Sequence, residues 1–413
     1  MIQDSLSLRG ASKATERILV PYIPSVKVPK WQTGRLWMLR VGHYELEKEK
    51  EKADDWIWVV DHNVQIGAIK CFVILGLRLK NLPLGRSLVH QDMDVIDIIP
   101  VDKSNKEIVF NQLEKNIPKT GVPRAIVGDH GSDLKAGVGL FCQKYPETDF
   151  IYDIKHKTAS VLRKELAENE RWEAFRKQAT QSKHRLQKSE LTPLAPPNQR
   201  TQARYMNIDV LIKWGQDILA FLDKELGQEK PTYNKEELQD KLVWVMDFRQ
   251  EIFDWTEMIR VTETVEQSVR RQGLYGNMIL DLKKMIGDVN NTKCAQNVYN
   301  ELCDFIEQES SKAKNNERLL GSSEVIESVF GKLKYLEKAQ SKSGFTDLVL
   351  SIGAMVSLLS EEVILTALKS STTQKLHKWK QKMLGDSVQS QREKALRAHR
   401  KTEQKMRQKL SQI

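Results

Sequence analysis

Two aspartates close apolar runs in this sequence. Asp61 follows WIWVV, and Asp129 follows AIVG inside AIVGDHGSDLKAGV, residues 125–138. Carboxylates at the same ends of neighbouring strands converge, and converging carboxylates repel unless a cation lies between them. Hard divalent ions take oxygen ligands, and Mg²⁺ commonly uses one or two protein carboxylates. A pair of such ions about 3.5–4 Å apart holds the attacking and leaving oxygens of an in-line phosphoryl transfer. That chemistry calls for a third acid. The segment GSSEVIESVFGKLKYLEKAQ, residues 321–340, offers Glu327 and, seven residues on, Lys334. Seven residues are two helical turns, so a metal-binding carboxylate and a phosphate-binding lysine would share one face. Each feature also has a plainer reading: Asp and Gly build turns, Asp caps helices, and Glu with Lys makes a surface ion pair. Glu324 is the alternative third acid, and Asp133 reads as the cap of the helix after Asp129.

The elements that must position these residues follow from the pattern around them. WIWVVDHNVQIGAIKCFVILGLRL predicts an antiparallel hairpin whose polar turn contains Asp61, His62, Asn63 and Gly67. MDVIDIIPVD predicts a third strand. SNKEIVFNQLEKNI predicts a helix capped by Ser104, with Ile108, Leu113 and Ile117 on its period. RAIVGD and FIYDIKH supply a fourth and a fifth strand. From about residue 157 the pattern turns helical, with LTPLAPPNQR as an extended linker and nothing that reads as a strand. Residues 5–45 read as two or three short helices. The second carries Arg35 and Arg40 and suits either a small DNA-reading module, as its recognition helix, or an ordinary helical subdomain.

Net charge is +10, yet residues 371–413 hold 12 Lys and Arg against three acids, so the rest of the chain is nearly balanced. Basic character is a property of the tail, an electrostatic footprint for polyanions. The four cysteines, Cys71, Cys142, Cys294 and Cys303, have no CxxC spacing, which argues against a zinc site and suits a reducing cytoplasm. The longest apolar segment, DLVLSIGAMVSLLSEEVILTAL, is interrupted by Asp, Ser and Glu and reads as a core helix rather than a membrane span. No secretory signal opens the chain.

Asp61, Asp129 and Glu327, in this order and on these elements, resemble the acidic triad of DDE transposases with a ribonuclease-H-like fold. DIKH, with Asp153 and His156, is similar to the Asp-x-x-His position of Mutator-like and hAT-like transposases. IESVFGKLK resembles the glutamate, six residues, lysine signature of bacterial insertion-sequence enzymes. The resemblance covers roughly residues 51–160 and 318–345. It implies an α/β, ribonuclease-H-like mixed sheet interrupted by a large all-helical insertion, with a helix-turn-helix-like module before it and a basic tail after it. The domains expected are 1–50 for that module, 51–160 for the first part of the catalytic domain, 161–317 for the insertion, 318–370 for the second part with the third acid, and 371–413 for the tail.

The activity implied is metal-dependent cleavage and strand transfer of DNA ends. Asp61, Asp129 and Glu327 would hold two Mg²⁺ or Mn²⁺ ions, and Lys334, His156, Arg35 and Arg40 would contact DNA. Double-stranded DNA and further copies of the chain are the partners expected, in a bacterial cytoplasm at the nucleoid and away from membranes. The alternative is a catalytically inactive, transposase-derived DNA-binding protein; a general ribonuclease-H-like nuclease fits the insertion and tail poorly. Trp214, Trp244 and Trp255 in the insertion could stack on an unpaired base or form its core. The short stretch before the first helices leaves little room for a complete end-recognition domain.

Overall fold

A run such as WIWVV forms the centre of a sheet only where both of its faces are covered. The computed structural model, which describes residues 6–66, 69–101, 103–199, 208–228, 232–289, 292–338, 347–385 and 396–397, meets that condition. Internal packing divides the chain into two units: Met1–Leu82, Leu88–Phe150 and Ser323–Ile413 in the first, Pro83–Ser87 and Ile151–Ser322 in the second.

The first unit opens with α1 (Leu8–Leu19) and α2 (Trp31–Glu47), followed by β1 (Trp56–Ile66), β2 (Ile69–Arg78), β3 (Asp94–Val101), α3 (Lys106–Thr120), β4 (Ala125–Gly128), α4 (Ser132–Lys144) and β5 (Asp149–Tyr152), within which the division between units falls. The sheet order is β3-β2-β1-β4-β5, with β1 and β2 antiparallel, β2 and β3 antiparallel, and β1 and β4 parallel. This is the α/β, ribonuclease-H-like mixed sheet expected from the sequence. Trp56, Trp58 and Val60 alternate onto one pleat, where they pack with Val109 and Leu113 of α3 and with Leu134, Val138 and Phe141 of α4.

The second unit interrupts the first, and its regular structure among the described residues is helical apart from one isolated bridge, Leu274 with Leu319, and the end of β5. Its helices are α5 (Ile154–Leu166), α6 (Glu170–Leu186), α7 (Asp209–Leu226), α8 (Lys235–Lys241), α9 (Arg249–Gln272), α10 (Met278–Ile286) and α11 (Lys293–Ser310). Phe175 sits at the centre of its aromatic core, with Phe248 and Trp255 each 5.3 Å away between ring centroids and Trp244 at 5.6 Å. The indole N–H of Trp214 donates to the Leu194 carbonyl and that of Trp244 to the Lys241 carbonyl. Of the three tryptophans considered for base stacking, Trp255 is buried in this core, while Trp214 and Trp244 are half-buried against it.

The first unit resumes with α12 (Glu324–Lys338), α13 (Ser351–Val356), α14 (Glu361–Ser370) and α15 (Thr373–Leu384). No residue of α12 or α13 belongs to the Trp58 cluster. These helices meet β1 and β3 on the other pleat, where Ile57 and Val59 are fully buried. The long apolar segment expected as one core helix is broken into a 3-10 turn (Asp347–Leu350), α13 and α14. Its serines explain the break: Ser357 donates to Glu45, and Ser360 caps α14 by accepting from the Val363 N–H. Helix α2 lies backbone to backbone on α13, since a Cβ on Gly353 would stand 2.6 Å from the Gly42 carbonyl oxygen. Among the described residues no helix is long and apolar enough to cross a membrane. Apart from 396–397, the tail beyond residue 385 lies outside the described residues.

In the second unit, burial pushes the Glu266 carboxyl up to about 7, against the pull of a Thr158 hydrogen bond and Lys155. A folded-state value above the unfolded one favours the protonated, folded form. The contribution is fully present below about pH 4.5 and is lost as pH rises to about 7, a span worth roughly 3 kcal/mol. Glu266→Gln is expected to flatten that slope and to raise stability at pH 8, as read from urea midpoints between pH 4.5 and 8.

Candidate active site

The carboxylates of the first unit are placed by strand register. Pairing of β1 with β4 runs Ile57 with Ala125, Trp58 with Ile126 and Val59 with Val127. Asp61 and Asp129 each stand two residues beyond the last of these pairs. Asp61 on β1 and Asp129 just past the end of β4 therefore stand at corresponding positions counted from that pairing, whose strands run about 4.8 Å apart. Asp61 was expected to end its strand, but β1 continues to Ile66. The reason is hydrogen bonding on its other edge, where β2 still pairs Asp61 with Val73, His62 with Phe72 and Asn63 with Cys71. What ends at Asp61 is the neighbour β4. This leaves a notch at the carboxyl end of the parallel pair, where open α/β sheets bind ligands.

Alternation then sets direction. Asp61 shares the pleat of Ile57 and Val59, the side on which α12 packs against β1. His62 takes the other pleat, and its ring lies 5.1 Å from that of Phe72. Both aspartates are half-buried. One oxygen of Asp61 accepts from the His62 N–H at 2.6 Å, and one of Asp129 accepts from the Gly131 N–H at 3.1 Å. The latter is an Asx turn that fixes the carboxylate over the start of α4. Gly131 serves it directly: a Cβ there would lie 3.2 Å from the Asp129 oxygen. Gly131, not Asp133, is the N-cap of α4.

Glu327 is half-buried in the first turn of α12, and Lys334 is exposed two turns later on that helix. Among the described residues, Asp61, Asp129 and Glu327 do not form a group whose oxygens all lie within 4.8 Å of one another. Ligands on the outer sides of two ions about 3.5–4 Å apart stand further from each other than that. Glu324 begins the same helix.

The remaining residues singled out in the sequence are placed as follows. His156 is in the second unit, where its backbone N–H donates to the buried Asp153, the cap of α5, at 2.8 Å. Arg35 pairs with Asp347. Arg40 donates from Nε to the Ser371 carbonyl at 2.6 Å and also to the Leu368 carbonyl. The two arginines anchor α2 to the segments behind it, and the helix that would read DNA through them buries Met38, Leu39 and Val41.

One group around the notch was missed. Ser104, expected as a helix cap, leaves that task to Asn105, whose side chain accepts from the Ile108 N–H. The Ser104 hydroxyl instead meets His62 Nε2 at 2.9 Å and hydrogen-bonds Asp133. Burial raises the Asp133 carboxyl, but the Ser104 hydrogen bond, the His62 charge and backbone N–H groups bring it below the usual carboxylate range. Burial holds His62 below the ordinary imidazole value, against the opposing charges of Asp133 and Asp129. The adjacency of His62 to Asp61 was the available signal.

No protein-family model matches the sequence, and no curated protein matches it. Among solved structures, the chain is similar to one described as a Drosophila P element transposase strand transfer complex. Identity is 12%, coverage is 88% of this chain and 92% of that chain, and the TM-score is 0.40.

The Ser104 bridge is expected to stabilise the wall behind Asp61. A double-mutant cycle of Ser104→Ala with His62→Phe, read by urea unfolding, should give a coupling of about 0.5–1.5 kcal/mol. Strict additivity would show that the hydroxyl and the ring do not support each other.

Proposed function

We propose that this chain is a DDE-type DNA strand transferase, the transposase of a mobile element. The observation that supports the reading is that Asp61 and Asp129 each stand two residues beyond the last pair of the β1–β4 register, Val59 with Val127. Two hard oxygen donors on adjacent strands suit Mg²⁺ or Mn²⁺, which need few protein ligands and leave positions for phosphate oxygens and water. Divalent ions held there would supply charge neutralisation at the scissile phosphate and a more nucleophilic oxygen at neutral pH.

The protein's part is to bind and to position. Asp61 and Asp129 hold the inner side of the site, beside the end of the β1–β4 pairing. Glu327 supplies the third carboxylate from α12, which rests on β1. Lys334, exposed on that helix, neutralises a backbone phosphate of the transferred end. Water first hydrolyses the phosphodiester at the element end, leaving a 3′-hydroxyl. That hydroxyl then attacks a target phosphodiester, so one P–O bond forms as another breaks, and no covalent protein intermediate is required. Double-stranded DNA is both substrate and partner, and joining two ends calls for more than one copy of the chain. The spacing of Glu327 and Lys334 supports an insertion-sequence type of element.

The test is strand transfer of a labelled, pre-cut DNA end in Mg²⁺ or Mn²⁺. Joined product is expected with the full chain. Asp61→Asn and Asp129→Asn should each lower it by roughly 10²–10³-fold or more, equivalent to about 3–4 kcal/mol of transition-state stabilisation, with DNA binding retained. Hydrolysis without joining would point to a nuclease, and binding without reaction to an inactive descendant.

A further inference from the structure

The described part of the basic tail, α15, packs against α2. Helix α15 packs on α2, and between them lies a cleft of about 480 Å³. One wall carries Lys375, Lys378 and Lys382; the other carries Lys48 and Tyr44, with Glu47 as the single acid. Its base is built rather than incidental. Trp379 is 8% exposed, His43 7% and Ser371 2%, and the Ser371 hydroxyl meets His43 Nδ1 at 2.9 Å. Arg40 ties the turn before α15 to α2 through the Ser371 and Leu368 carbonyls. Burial holds His43 below the ordinary imidazole value, against the pull of Glu47 and alongside Lys375, so the cleft's cations are its lysines.

We propose that this cleft is a binding site for the sugar-phosphate backbone of duplex DNA, gripped by Lys375, Lys378 and Lys382 along α15 and by Lys48 across from them. The three α15 lysines recur at three- and four-residue spacing, so they form a row on one helical face. That row rises about 10 Å. Successive phosphates of one DNA strand rise about 3.4 Å along the axis, so the row matches a run of backbone. A free nucleotide needs donors that converge on one cluster of oxygens, and a row does not converge. Lys375 rests its ammonium on the Ser370 carbonyl at 2.8 Å, and Lys48 lies 3.6 Å from Glu45. Lys378 and Lys382 have no ion-pair partner among the described residues. Tyr44 and Trp379 add flat apolar surface suited to a deoxyribose. The choice of DNA among polyanions rests on the proposed strand-transfer function; the cleft itself does not.

The experiment measures duplex DNA binding by the full chain in EDTA, across a range of salt. The triple variant Lys375→Gln, Lys378→Gln, Lys382→Gln is expected to lower the slope of log affinity against log salt by about 2 to 3. The matching Lys→Arg triple should retain it. A control triple on other exposed positions, Lys135→Gln, Lys213→Gln and Lys284→Gln, should leave the slope nearly unchanged, with melting temperatures reporting that each variant folds. An unchanged slope in the cleft variant, or an equal loss in the control, would overturn the proposal. So would cleft-dependent binding of tripolyphosphate or of phosphatidylserine vesicles in place of DNA. Because no divalent ion is present, the result separates from catalysis: cleft-dependent binding by a chain that never joins DNA ends removes the strand-transfer reading alone, and joining that persists with an unchanged slope removes the cleft alone.

Discussion

The structure depends on unequal pairing along the two edges of β1. On one edge β2 stays hydrogen-bonded past Asp61 as far as Asn63, which keeps Asp61 and His62 on alternate faces. On the other edge β4 stops after Gly128, so the sheet opens where the two aspartates stand. A longer β4 would close that notch with backbone. A shorter β1 would leave Asp61 on a loop, without a fixed direction. Gly128 supports the arrangement, because a Cβ there would meet the Val60 carbonyl oxygen at 3.1 Å and the Leu134 side chain at 3.1 Å. Close approach of α4 to the strand end is what lets Gly131 bind Asp129.

The first unit assigns its charges to distinct tasks. Arg35 and Arg40 hold α2 against the segments that follow α12, while Lys378 and Lys382 stand on α15 with no ion-pair partner among the described residues. The difference follows from chemistry: a guanidinium offers several donors in a fixed fork and suits paired carbonyls and carboxylates, whereas an ammonium on a flexible stem suits a mobile polyanion. Net charge is therefore a poor guide to the binding face. Position and partner decide it.

Much of the fold was legible because it rests on short-range patterns. Alternation and β-branched runs marked the hairpin and third strand, and the helical period marked the inserted block. What escaped were choices settled by tertiary partners. Asp61, His62 and Asn63 look like a turn until β2 pairs with them. Ser104 and Asn105 are both good caps, and only the presence of His62 draws Ser104 away. The segment from Asp347 to Leu368 is apolar enough for one helix, but Ser357 and Ser360 find partners that break it. Tryptophans at helical spacing give no sign of whether they meet a base or Phe175. Of the candidate site, Asp61 and Asp129 stand out in the sequence because each follows an apolar run, and the Ser104, His62 and Asp133 group does not, because its members come from separate segments.

The central claim is that Asp61 and Asp129 share a divalent ion. Crystals of the full chain grown with Mn²⁺ and measured at an anomalous wavelength test it most directly. The expected result is a peak bonded to an oxygen of each aspartate at about 2.0–2.2 Å, abolished by Asp129→Asn. A peak held by other residues, or none at these two carboxylates when Mn²⁺ saturates the crystal, would contradict the account.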